Sequence, residues 1–337
     1  MNARITMNEV ARAAGVHQTT VSLALRNHPS IPPATRDRIR TLADELGYRP
    51  NPLVSALIAE RRRGRASGQG TTLAFLTCFA EKSGWRHSAN YVAIHEELKA
   101  HAGRCGYQLE EFWLTAPGMT PARLRDILFN RGIRGIIVCP MPDSIRTLDF
   151  DFTGFTALAL GLTLESPRLD RVTIDYHAVM SLCVNQLKAR GRRRIGFATT
   201  LNIDSRVNHL SLGAFLAERH LSPRRFVAPF TPRDWDAAAF SHWIKTTRPD
   251  ALITAITPDY LWLQPWLAAI APRQRTVIDL VCVDCNAALP GQPGVIQDLT
   301  AEARTAIDWV TSHLERAQFG IPASPQTIGV GGTWRDA

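Results

Sequence analysis

Apolar residues along the 337-residue chain follow two patterns that meet near residue 70. Up to about residue 50 they recur at helical spacing in short bursts: Val10, Ala11 and Ala14, then Val21, Ala24 and Leu25, then Ile39, Leu42 and Leu46. Thr6-Met7-Asn8-Glu9 has the form of a capping box, in which the Thr6 hydroxyl accepts from the Glu9 backbone and the Glu9 carboxylate reaches back to Thr6. Ala14-Gly15-Val16 supplies a tight turn, Ile31-Pro32-Pro33 opens a third helix, and Gly47 closes it. Three short helices with a glycine turn between the first two predict a helix-turn-helix over residues 1–50.

From residue 71 onward the apolar runs shorten to strand length, at 73–79, 108–114, 135–139, 157–161, 194–198, 251–255 and 280–283. Amphipathic stretches, for example 91–105, 121–131, 177–190 and 208–220, lie between them. Buried strand, helix, buried strand is the pattern of a parallel sheet covered on both faces, and it predicts an α/β module over 71–337 with its ligand beyond the carboxyl ends of the strands. Residues 51–70 join the two parts. Asn51-Pro52-Leu53 offers a cap and a first-turn proline for a helix of about two turns, too short to be stable alone in water. Arginines 61, 62, 63 and 65 and several glycines follow it.

With 45% hydrophobic and 20% charged residues, the composition excludes disorder and fibrous arrays. No apolar run reaches the roughly 18 to 20 residues of a membrane helix, and the first ten residues lack a secretory pattern. A cytoplasmic protein with no membrane contact is expected, with its six scattered cysteines reduced. Charge adds more. Residues 1–65 hold eleven Arg, no Lys and five acidic residues, so they carry +6 of the net +9. An anionic partner for that end is implied, with nucleic acid the first candidate. The second helix presents His17, Gln18, Thr19, Thr20, Ser22, Leu23, Arg26 and Asn27 away from its apolar stripe. Gln pairs with adenine, Thr with a base edge or a thymine methyl, and Arg with guanine or phosphate.

These residues carry a family likeness. Residues 7–16, Thr20-Val21-Ser22, Thr35-Arg36 and Leu46-Gly47-Tyr48-Arg49-Pro50-Asn51, in this order and spacing, resemble the DNA-binding segment of the LacI family of bacterial transcriptional regulators. The resemblance implies a homodimer on a pseudo-palindromic double-stranded operator, near the bacterial nucleoid, with Thr6, Arg36, Asn51 and Arg61 joining the second helix at the DNA. It also implies a hinge helix that folds on DNA and wedges Leu57 into the minor groove. His17 departs from the usual Ser cap of the recognition helix, and Leu23 stands where relatives often carry a polar reader.

Over the rest of the chain the likeness is weaker. It implies a periplasmic-binding-protein-like module of two lobes, with the chain crossing between them near residues 162, 291 and 322 and an effector in the cleft. The implied cleft residues are Asp284 first, then Trp85, Arg86, Arg206 and Asp259. Leu210 occupies the place of the family's usual effector-binding Arg, three residues before Gly213, so Arg206 is the candidate substitute. The function implied is an allosteric regulator, a repressor whose operator affinity follows a sugar-like or nucleoside-like effector. The alternatives are a carbohydrate-active enzyme fused to a helix-turn-helix, or a ligand-independent DNA binder.

Catalytic patterns are lacking. Cys282-Val283-Asp284-Cys285 has a Cys-x-x-Cys spacing, but strand alternation would place the sulfurs on opposite faces, and no second pair follows at zinc spacing. Gly329-Val330-Gly331-Gly332 lacks the Lys-Ser/Thr of a phosphate loop and reads as a turn, and no His-Glu-x-x-His or Gly-x-Ser-x-Gly pattern occurs. No metal, no cofactor and no enzymatic activity are expected.

Overall fold

The computed structural model describes residues 5–25, 31–48, 71–270, 278–285 and 291–336. The N-terminal part contains α1 (Met7–Ala14), α2 (Gln18–Leu25) and α3 (Pro33–Glu45), packed around Val10, Val21, Ala24 and Ile39, none of which is exposed. The capping box expected at Thr6 is present, and Gly15 adopts the left-handed conformation, φ 65°, that lets its N–H close α1.

The first lobe is built on a six-stranded parallel sheet. Its strands are β1 (Thr71–Thr77), β2 (Tyr107–Trp113), β3 (Gly135–Val138), β4 (Thr156–Leu160), β5 (Asp170–Ile174) and β10 (Thr327–Val330), in the order β10-β5-β4-β3-β1-β2. Side chains alternate across this sheet. Ala74, Leu76, Ile136 and Val138 meet Leu124 and Leu128 of α5 (Pro121–Asn130) on one face. Leu73, Phe75, Ile137 and Leu158 meet α4 (Ala89–Arg104) and α11 (Leu299–Glu315) on the other. Both faces are covered, which is why these strands read as unbroken apolar runs. Gly135 is required by that packing, since a Cβ there would stand 2.6 Å from Leu73 Cδ2 and 2.9 Å from Val310 Cγ1.

The second lobe has β6 (Ile195–Ala198), β7 (Ala251–Thr254), β8 (Asp279–Cys282), β9 (Gly294–Gln297) and β11 (Gly332–Arg335), ordered β11-β9-β8-β7-β6, with only β11 antiparallel. Helices α6 (Tyr176–Ala189) and α8 (Leu210–Leu221) cover one face, and α9 (Ala237–Thr247) and α10 (Thr257–Ile270) the other; α7 (Leu201–Arg206) follows β6 at the cleft. Truncating a fully buried aromatic here, Phe197 or Phe240, removes packing worth about 3 to 5 kcal/mol.

Three expectations need correction. The chain crosses between lobes at Asp175, Asp298 and Gly331, not near 162, 291 and 322, because β5, β9 and β10 each stay in their lobe beyond those points. Strand β5, with Asp170, Arg171 and Thr173, is too polar to read as an interior strand. The crossings also fasten one another. The Asp175 N–H donates to Val330 O and the Asp298 N–H to Gly331 O, while their carboxylates cap α6 and α11. Second, Gly329–Gly332 is not a turn: it is the end of β10, the passage at Gly331 and the start of β11, where a Cβ on Gly332 would stand 2.5 Å from Val295 Cγ1. Third, Cys282 and Cys285 do not point to opposite faces. Strand β8 ends at Cys282, the chain turns, and both thiols pack in one cluster, with Cys285 Sγ donating to Cys282 O at 3.6 Å. None of the six cysteines is joined in a disulfide.

Candidate nucleic-acid interface and interlobe cleft

At the N-terminal end, the Thr6 N–H donates to Glu9 Oε2 at 2.6 Å and the Thr6 hydroxyl donates to the same oxygen at 2.8 Å. Those bonds hold the Glu9 carboxyl below its ordinary range. After the Gly15 turn, α2 begins with His17 in the capping place. With its proton on Nε2, the imidazole accepts at Nδ1 from the Thr19 hydroxyl (2.6 Å) and from the Thr19 N–H (3.4 Å). His17 therefore caps the helix with a ring nitrogen in place of a hydroxyl.

Burying Val21 and Ala24 turns His17, Gln18 and Thr19 outward; Thr20 and Ser22 are half-buried. Leu23 is half-buried and packs against the domain core, which gives it a structural share in the packing as well as a place near the expected reading surface. Thr6 is exposed and Arg36 half-buried in the first turn of α3. Arg26, Asn27, Asn51, Leu57 and Arg61 lie outside the described residues.

In the larger module, the lobes meet through side chains beyond the carboxyl ends of their strands. Asn90, in the first turn of α4, donates to both oxygens of Asp284, at 3.2 and 3.0 Å, from one lobe to the other. Arg206, the last residue of α7, reaches back across to the Tyr91 hydroxyl (2.9 Å), Met141 O (3.3 Å) and the Asp143 carboxylate. Arg146 of the first lobe donates to Ser205 Oγ at 3.2 Å. Burial raises the Asp284 carboxyl to about 6, with Asn90 pulling the other way. Behind it stands Glu302, only 4% exposed, raised to about 8 by burial first and by the Asp284 charge second. The Tyr176 hydroxyl is pushed up by burial and by the Glu302 and Asp284 carboxylates.

Of the five cleft candidates, Asp284 and Arg206 are brought to this junction. Asp259 is buried on the second lobe's side, raised to about 6 by burial, and its oxygens accept from Trp235 Nε1 (3.0 Å) and the Thr199 hydroxyl (3.4 Å). Trp85 belongs to the first lobe's core, 1% exposed against Phe75 and His95, with its Nε1 donating to Glu111. Arg86 lies outside it, its guanidinium 4.3 Å above the Trp85 ring and 2.8 Å from Glu111. Asn90, Tyr91, Asp143, Tyr176 and Glu302 were missed. Glu302 left a signal: it falls on the stripe of Leu299, Ala303, Ala306 and Val310, where a carboxylate on a buried helix face needs a reason.

Residues 6–51 match the family described as bacterial regulatory proteins, lacI family. That segment is of the LacI type. Among curated relatives, the HTH-type transcriptional regulator GalR of Lacticaseibacillus casei is 25% identical over 238 residues, covering 67% of this chain and 66% of that protein. PtxS of Pseudomonas plecoglossicida is 43% identical over 72 residues, 21% of this chain and 20% of its own length. The chain thus spans just under two thirds of GalR and a fifth of PtxS. In fold, the lac repressor dimer bound to operator and the anti-inducer ONPF is similar over 98% of both chains, at 18% identity and a TM-score of 0.55. The regulator CelR in complex with cellobiose is similar over 98% of both chains, at 17% identity and a TM-score of 0.53. Both lobes and the N-terminal helices are thus LacI-like in architecture.

Proposed function

We propose that this chain is a LacI-family, sequence-specific DNA-binding transcriptional regulator, a cytoplasmic repressor whose affinity for a pseudo-palindromic operator follows a small polar effector held between its lobes. The observation that carries the proposal is the union of two parts in one chain: a lacI-type helix-turn-helix with His17, Gln18 and Thr19 facing outward, and a two-lobed module bridged by Asn90–Asp284 and Arg206–Tyr91. A lac repressor dimer sits on its operator and CelR holds cellobiose in structures of the same fold, which supports a homodimer and a sugar-like or nucleoside-like ligand for this chain. Two α2 helices related by a twofold axis read two half-sites one or more helical turns apart.

The cleft acts by competition. A hydroxylated ligand offers Asp284 the donors now supplied by Asn90, and offers Arg206 acceptors in place of Tyr91 and Asp143. It thereby favours one setting of the lobes, and only such a difference in affinity between settings shifts the DNA-binding equilibrium. The groups gathered here bind and orient rather than attack, so the reading is a switch and not an enzyme.

The test is direct. Operator sites are selected from random duplexes with the full-length protein, and their affinity is titrated with and without sugars and nucleosides. A ligand-dependent change of roughly 5- to 150-fold, the usual range of coupling, supports the regulator. Turnover of a candidate sugar, or a selection with no preferred sequence, overturns it.

A further inference from the structure

We propose that His101, Cys105 and Asp308 form a binding site for a divalent transition-metal ion of the zinc class, on the first lobe at the end remote from the cleft. His101 and Cys105 are four residues apart at the end of α4, so they share one side of the helix. Asp308 comes from α11, which packs beside α4 on the same sheet face. His101 Nε2 lies 2.8 Å from Asp308 Oδ1, Cys105 Sγ lies 3.9 Å from His101 Nε2, and the three ligand atoms all fall within 4.8 Å of one another.

Those separations suit a common ion. With zinc bonds of about 2.0 Å to nitrogen and oxygen and about 2.3 Å to sulfur, tetrahedral angles put the ligand atoms about 3.3 to 3.7 Å apart. Shifts of up to about an ångström, within the reach of these side chains, would close the coordination sphere. The Asp308 side chain is exposed and the His101 side chain partly so, which leaves water a route to the fourth position. One sulfur, one imidazole and one carboxylate select zinc or cobalt over magnesium or calcium, which prefer all-oxygen cages.

The surroundings set the protonation chemistry. Arg104 Nη2 now donates to His101 Nδ1 at 3.1 Å, which places the imidazole proton on Nε2, facing Asp308. Metal binding at Nε2 displaces that proton, which passes through solvent to Nδ1 so that the imidazole stays neutral, while the Cys105 thiol proton is released. Arg104 then turns fully to Glu97, which it already meets and which also accepts from Arg304 at 2.8 Å. The two arginines lower the affinity of a cation here, while Glu97 and Asp308 offset them. The location gives the ion structural reach. Cys105 lies two residues before β2, and Tyr107 of that strand pairs with Thr71, the first residue of β1, where the chain enters the lobe from the N-terminal side.

Full-length, tag-free protein is titrated with cobalt(II) and then zinc(II). The expected result is a thiolate-to-cobalt charge-transfer absorption that saturates near one equivalent per chain and is displaced by zinc. Cys105→Ser abolishes it, and His101→Ala and Asp308→Asn each weaken cobalt binding at least about tenfold. The other five cysteines are buried in the lobes, so Cys78→Ser leaves the band intact. Far-ultraviolet circular dichroism checks that each variant is folded, and Asp308→Asn, exposed and nearly isosteric, serves if His101→Ala misfolds. No charge-transfer band, or a band unchanged in Cys105→Ser, overturns the site.

Discussion

On the proposed reading, the helix-turn-helix and the interlobe cleft recognise by opposite means. At α2 the outward groups offered to a partner, His17, Gln18 and Thr19, are polar and open to water, and they sit next to one another in the sequence. In the cleft they are charged or buried, and residues far apart in sequence, such as Asn90 and Asp284, meet only when the lobes do. A surface of the first kind binds through contacts added from solvent, so its affinity rests on the phosphate charge around it. A site of the second kind stores its energy in bonds already made, so a ligand acts there by replacing them. The first should answer to salt, the second to pH and to single substitutions.

The largest expected effect is on the DNA side. If residues 1–65, with their +6 charge, supply the phosphate contacts, a dimer neutralising about 6 to 10 phosphates loses roughly three to five decades of affinity between about 50 and 200 mM salt. Anisotropy titrations of labelled duplex measure this, and a flat response would remove the DNA-binding reading.

The cleft should instead show itself in stability against pH. Glu302 is raised from 4.5 to about 8 in the folded protein, so that state holds its proton more tightly than the unfolded chain does. Stability therefore falls as pH rises from about 4.5 towards 8, by an amount on the order of several kcal/mol, and Asp284 and Asp259 add to the fall up to about 6. Glu302→Gln removes its share of the fall from about 4.5 upward, which is all of the fall between about 6 and 8. Urea unfolding followed at a series of pH values checks it: equal slopes for variant and native protein would mean that Glu302 is not held in the low-dielectric site described.

The two regions also differ in how far the sequence discloses them. The cap at Thr6, the turn at Gly15 and the stripe through Val10, Val21 and Ile39 are local chemistry, and each is found as expected. Interior strands such as Gly135–Val138 were legible because both faces are buried. Strands β5, β10 and β11 were not, because they are polar or exposed at a sheet edge, and β9 offers only Val295 and Ile296 as apolar residues; together they fix the three crossings. Asp284 and Arg206 could be placed as cleft residues, whereas Trp85 is core because its indole fills the space beneath Phe75 and His95. Asn90 and Tyr91 could not be found from spacing, since their partners lie 194 and 115 residues away.

Asp284→Ala removes the carboxylate that links the lobes and would accept from a ligand. Effector coupling of about 1 to 3 kcal/mol should vanish, with ligand-free operator affinity close to normal. A variant that responds at the native effector concentration would move the site elsewhere. Gln18→Ala sharpens the opposite side of the comparison. It should lose about 1 to 3 kcal/mol at one base pair if Gln18 makes a paired contact, with affinity for random DNA unchanged. Unaltered site selection would show that Gln18 is not a reader.

The smallest expected effect is at His17, where the two means of recognition come closest. Its ring nitrogen does the work of a cap, accepting from the Thr19 N–H at 3.4 Å while also engaging the Thr19 hydroxyl at 2.6 Å. His17→Ser would substitute a hydroxyl that accepts the same N–H with better reach and leaves the Thr19 hydroxyl to a base or phosphate. A cap of this kind is worth about 1 kcal/mol, so His17→Ser should keep or slightly raise the stability of the N-terminal domain, and His17→Ala should lower it by up to that amount. Because a hydroxyl at a helix start also meets phosphate, the serine variant should bind operator and random DNA more tightly by a similar factor, with no change in preferred sequence. Thermal unfolding of residues 1–50 and paired titrations on both DNAs distinguish the cases. If serine proves as destabilising as alanine, the imidazole is not capping α2, and the helix start is held by the backbone bonds from Thr20 and Val21 to His17 O alone.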